Sequence, residues 1–127
     1  MNEVISDGLG QHRVTVFKRI EAARHASQNV AQQPATLAAL ADCDVLVFGH
    51  THQPWVREYG GVLFVNCGSV GKPKDGDPRA SFALLGPASG DVRVTIERVD
   101  YDAEAVAAEM RRVGLPDELA DKLPLAA

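Results

Sequence analysis

Gly49-His50-Thr51-His52 follows directly on the apolar run Val45-Leu46-Val47-Phe48. Imidazole is the commonest protein ligand for transition metals. Residues two apart in an extended chain point to the same side. A backbone that stays extended past Phe48 would therefore set His50 and His52 side by side at the carboxyl end of a buried strand. Paired imidazoles there can serve one metal ion or two adjacent ones. Further candidates lie downstream. The Asn66 amide can orient a ligand or cap a turn. Gly68-Ser69-Val70-Gly71 can offer backbone N–H groups to a phosphate or form a tight glycine turn. Lys72, Lys74 and Arg79 can attract an anion or stand as solvated loop charges, with Arg79 in reach of Asp75 or Asp77. Cys67 can be a soft metal ligand or a small buried apolar residue. His12 and His25, the other two of the four histidines, read as surface helix residues.

The elements that must position these groups follow from periodicity. Val14, Val16, Phe17, Ile20 and Ala23 form one apolar stripe and predict a helix. Pro34 suits the first turn of a short helix through Leu40. Val45–Phe48, apolar at every position, reads as a strand that wants cover on both faces, and the chain offers few strands to supply it. Val56–Tyr59 and Val62–Val65, joined by Gly60-Gly61, predict a hairpin with a primed turn. Ser81–Leu85 is a further strand, Pro87 to Gly90 a turn, and Val92, Val94 and Ile96 alternate with Arg93, Thr95 and Glu97 along a half-wet strand. Asp102 can cap a helix that ends at Gly114, and Pro116 opens a last short one.

Composition narrows the class. The 127 residues are 46% hydrophobic and 24% charged, as in an ordinary globular domain with one core. A net charge of -4 argues against nucleic acid or an anionic membrane as the main partner. No run approaches the roughly 18 apolar residues of a membrane helix, and the start of the chain has no basic stretch followed by an apolar one, so no signal peptide is expected. Cys43 and Cys67 form no Cys-x-x-Cys motif and read as reduced thiols of a cytoplasmic protein, although sequence leaves a disulfide between them open.

The segment from Asp44 to Pro54 resembles the last metal-binding motif of the calcineurin-like metallophosphoesterase superfamily. Val65-Asn66-Cys67-Gly68-Ser69-Val70-Gly71-Lys72-Pro73 resembles the strand and loop that follow it in the small bacterial and archaeal phosphodiesterases, with Cys67 where relatives usually carry proline. Asp77 to Ala83 is similar to those members too. The resemblance runs from about Pro34 to about Leu123. It implies an α/β fold, a mixed β-sheet with flanking helices, corresponding to half of a four-layer α/β/β/α sandwich. It implies residues 34–127 as the C-terminal part of the phosphoesterase domain, behind a helical segment 1–33 of unclear origin. It also implies a site of two divalent ions (manganese, nickel, iron or zinc) that activates a water against a phosphoester, with His50 on one ion and His52 on the other.

Residues 1–49 contain none of the family's earlier ligand motifs: Asp-x-His, Gly-Asp, Gly-Asn-His, or a histidine before glycine. A catalytic ion needs about three protein ligands, so this chain alone is expected to bind metal weakly and turn over little. The expected partners are a phosphoester small molecule or nucleotide, and either a second copy or a chain that supplies the missing half. The alternative is a non-catalytic remnant that serves as an oligomerisation or interaction module. A plain metal carrier ranks below both, because cysteines and clustered histidines are few.

Overall fold

Val45-Leu46-Val47-Phe48 is buried at every position in the computed structural model, which describes residues 3–5, 14–16, 43–88 and 91–127. This strand, β3 (Val45–Phe48), is the third of a five-stranded sheet with β1 (Glu3–Ile5), β2 (Val14–Val16), β4 (Trp55–Tyr59) and β5 (Val62–Asn66), in the order β1-β2-β3-β5-β4. β2, β3 and β5 run parallel, while β1 and β4 close the two edges antiparallel. The predicted hairpin is β4–β5. Gly60 and Gly61 both take positive φ (60° and 80°), as the two central residues of a type I′ turn must.

Period-two alternation divides the core. Leu46, Phe48, Val62 and Phe64 pack with Cys43, Trp55 and Tyr59 on one face. Val45, Val47 and Val65 point the other way. That second face is covered by an antiparallel ribbon, β6 (Ala80–Ala88) with β7 (Asp91–Val99), through Ala83, Leu85, Val92, Val94 and Ile96. The ribbon is thus the layer that the apolar β3 demanded. Cys43 and Cys67 belong to opposite faces and are both free thiols, so no disulfide joins them.

The chain ends in α1 (Ala103–Arg112) and α2 (Asp117–Lys122). Asp102 caps α1, its Oδ1 accepting from the Ala105 N–H at 2.9 Å, and Gly114 (φ 81°) reverses the chain after it. Among the described residues no helix is long and apolar enough to cross a membrane.

Two sequence expectations are corrected. Val14-Thr15-Val16 is a strand, not the start of a helix: three residues, two of them valine, pair with both β1 and β3, where β-branched side chains are favoured. The rest of that expected helix, the short helix from Pro34, and His12 and His25 lie outside the described residues. Pro87 and Ala88 belong to β6, paired with Val92 and Asp91, rather than to the turn.

Candidate metal centre

The register sets the site. Phe48, the last residue of β3, lies opposite Asn66, the last residue of β5, and Trp55 at the start of β4 also faces Asn66. The loop carrying both histidines and the loop 67–74 therefore leave the same edge of the sheet side by side, at the carboxyl ends of parallel strands, where α/β folds place their sites.

The backbone does not stay extended past Phe48, which corrects the geometry expected for the pair. His50 (φ 78°) and His52 (φ 61°) both occupy the left-handed region, which few residues with a side chain adopt. The Thr51 N–H donates to the Gly49 carbonyl at 3.1 Å, closing a three-residue γ-turn with His50 at its apex. Each such residue costs on the order of 1–3 kcal/mol and persists only where its surroundings hold it.

His52 is half-buried, and its Nδ1 lies 2.7 Å from the Lys72 carbonyl oxygen. A carbonyl can only accept, so Nδ1 carries a proton, and in the neutral ring this leaves the Nε2 lone pair for another partner. Metal-bound histidines are oriented in this way, with the second ring nitrogen donating to a backbone carbonyl or carboxylate. The Lys74 N–H donates to the His52 carbonyl at 3.1 Å, and the Gln53 side chain donates to the Lys74 carbonyl at 3.0 Å. His50 is exposed.

The other candidates have defined places. Asn66 is completely buried; its Oδ1 accepts from the Gly68 N–H at 3.0 Å, and its Nδ2 donates to the Gly49 carbonyl (3.3 Å) and to Thr51 Oγ1 (2.9 Å). Gly68 has φ 74°, and a Cβ built there would sit 2.5 Å from Ser81 Oγ and 3.0 Å from Pro54 Cβ, so the tight-turn reading describes it. Ser69 Oγ accepts from the Lys72 N–H at 2.9 Å, and its carbonyl accepts from the Ser81 N–H at 2.9 Å.

Arg79 pairs through its Nε and Nη2 with the Asp77 carboxylate, and Asp75 pairs with Arg98 instead. The hydrogen bonds from Arg79 hold the Asp77 carboxyl down at about 2. The Cys67 thiol is pushed up by burial and packs against the β6–β7 side of the core. Its N–H donates to the Phe48 carbonyl at 3.1 Å, a bond that proline at this position could not make. Ser81, which the sequence marked only as a strand residue, is 2% exposed and donates from Oγ to the Cys67 carbonyl at 2.8 Å. Among the described residues, no three or more His, Cys, Asp or Glu side chains group as a metal cage.

The left-handed turn makes a direct prediction. Glycine meets no penalty at φ 78° and alanine does, so His50→Gly should be more stable than His50→Ala by about 1 kcal/mol. Urea unfolding of the two variants checks this, and equal midpoints would show that the turn relaxes without cost.

The family profile of the calcineurin-like phosphoesterase superfamily domain matches residues 3–90, beginning well before Pro34. Phosphodiesterase YfcE of Escherichia coli (strain K12) is 48% identical over 52 residues, covering 41% of this chain and 28% of that protein. A "Probable metallophosphoesterase" of Methanothermobacter thermautotrophicus is 34% identical over 85 residues, 67% of this chain and 40% of that one. The crystal structure of a metallophosphoesterase from Sphaerobacter thermophilus superposes with a TM-score of 0.63 at 26% identity, over 98% of this chain and 57% of that chain. A hypothetical protein from Pyrococcus horikoshii shares the fold, with a TM-score of 0.67 at 16% identity over 97% of this chain and 50% of that one. The match thus spans well under half the length of both sequence relatives. A mixed α/β sheet with a histidine pair at its carboxyl edge, a profile match over more than half the chain, and a structural neighbour aligned along nearly all of it place this protein in the calcineurin-like phosphoesterase superfamily.

Proposed function

We propose that this chain contributes His50 and His52 as nitrogen ligands to a divalent-metal centre for phosphoester hydrolysis. The observation that carries the reading is the His52 Nδ1 bond to the Lys72 carbonyl, which leaves Nε2 as the ring nitrogen for a metal ion. The strained turn at His50 supports it, since backbone strain concentrates at functional positions. Imidazole donors suit manganese, iron, nickel or zinc. Bound divalent ions would supply a water of lowered pKa and charge stabilisation for the phosphoryl oxygens. The residues present fit two ligands of such a centre. The remaining ligands of a working site would come from outside the described residues or from another chain.

The substrate class proposed is a phosphodiester or nucleotide. Its test is manganese- or nickel-stimulated hydrolysis of a chromogenic phosphodiester by wild type, His50→Ala and His52→Ala. The expected result is a low metal-dependent rate that both substitutions reduce at least tenfold. Equal rates in all three would reject the assignment.

A second reading has its own observation. Phe82, Leu84 and Val99 share the outer face of the β6–β7 ribbon and are 37%, 53% and 50% exposed. Apolar side chains grouped in this way suit association, which is the interaction-module alternative. Light scattering on the same samples distinguishes it: a monomer at all concentrations rejects self-association, whatever the hydrolysis rate.

A further inference from the structure

We propose that Asn66 is the positioning residue for the histidine pair, bolting their loop to the end of β5. This rests on the metal-ligand reading of His50 and His52 above. The Asn66 carboxamide has one acceptor and two donor hydrogens, and each finds a partner in one of the two site loops. Chemistry fixes which way it faces. The Gly68 N–H can only donate and so meets Oδ1; the Gly49 carbonyl can only accept and so meets Nδ2. The two groups held by Nδ2, the Gly49 carbonyl and the Thr51 hydroxyl, flank His50 at the apex of its γ-turn.

A residue forced into the left-handed region needs more than one restraint, and Asn66 supplies them from a rigid strand end. The second imidazole is reached through the other side of the same amide. Gly68, fixed by Oδ1, begins the loop in which Ser69 Oγ holds the Lys72 N–H, and the Lys72 carbonyl in turn receives His52 Nδ1–H. Capping Gly68 alone would need only an acceptor, which aspartate provides as well. The donors toward Gly49 and Thr51 are what require the amide.

The test uses the full chain, labelled with nitrogen-15, as wild type, Asn66→Asp, Thr51→Val and Thr51→Ser. Asn66→Asp keeps an acceptor for Gly68 and loses the donors. Thr51→Val removes one bolt and leaves β5 untouched, and Thr51→Ser restores the hydroxyl. Imidazole spectra report ring order without any metal, nickel titration reports affinity, and urea unfolding is measured separately.

Positioning predicts that the His50 and His52 ring and backbone signals broaden by microsecond-to-millisecond exchange in Asn66→Asp and Thr51→Val. Nickel affinity should fall at least tenfold in both, as for other residues that orient metal ligands, while Thr51→Ser matches wild type. A merely structural role would lower unfolding midpoints and leave ring signals and affinity within twofold of wild type, which overturns the proposal. If Asn66→Asp does not fold, Thr51→Val decides alone. A wild type that binds no nickel, with ring order still lost in the variants, rejects the ligand reading and keeps the positioning role.

Discussion

Gly68→Ala is expected to destabilise the protein by about 3 kcal/mol, the sum of a left-handed penalty of about 1–2 kcal/mol and an overpacking cost of the same order. The backbone there has φ 74°, and a methyl group would have to enter the space held by Ser81 Oγ and Pro54 Cβ. Neither neighbour can yield freely. Ser81 is buried and tied to the Cys67 carbonyl, and Pro54 is fixed by its own ring at the exit of the histidine loop. Gly71→Ala is the control: no heavy atom lies within 4 Å of a Cβ built there, so its effect should stay within about 0.5 kcal/mol. Urea denaturation measures both. A Gly68→Ala protein as stable as Gly71→Ala would mean that the two site loops are not packed as described.

Phe64→Ala should cost about 4 kcal/mol. Phe64 is fully buried at the centre of β5 and meets Phe48 and Tyr59 edge to face, with ring centroids 6.4 Å and 5.4 Å apart. Truncation loses the transfer free energy of the ring, leaves a cavity, and removes two aromatic contacts that add to area burial. Phe82→Ala, on the outer face of the ribbon at 37% exposure, should cost far less. Thermal or urea unfolding that ranked the two alike would contradict the division of the core between the faces of the sheet.

How much of this was legible in the chain depends on the range of the cause. β3 and the β4–β5 hairpin follow from local signals, an unbroken apolar run and a Gly-Gly pair. The alternation of Val92, Val94 and Ile96 foretold β7. Asp102 and Gly114 marked the helix between them because caps act within one turn. Val14–Val16 is ambiguous in the sequence because three residues satisfy a helical stripe and a strand equally well. Pairing with β1 and β3, which no local pattern reports, decides it.

The site shows the same division. His50 and His52 stood out by type and spacing. Their left-handed backbone did not, because the partners that meet this loop, Asn66 and Lys72, are brought close only by the Phe48–Asn66 register. For the same reason Asn66 was legible as a polar residue at a strand end but not as a three-way bolt. Ser81 was invisible as a contributor to the site. Cys67 packs into the core and Arg79 pairs with Asp77, each one of the alternatives that residue type and spacing had offered.

The central claim is that both imidazoles of the Gly49–His52 loop bind divalent metal. Manganese is paramagnetic and broadens nearby nuclei, so adding it in small amounts to nitrogen-15-labelled protein maps its position directly. The account predicts that the His50 and His52 ring signals broaden first, that the Lys72 and Asn66 amides follow, and that His52→Ala removes the effect. Broadening centred elsewhere, or unchanged by His52→Ala, would contradict it.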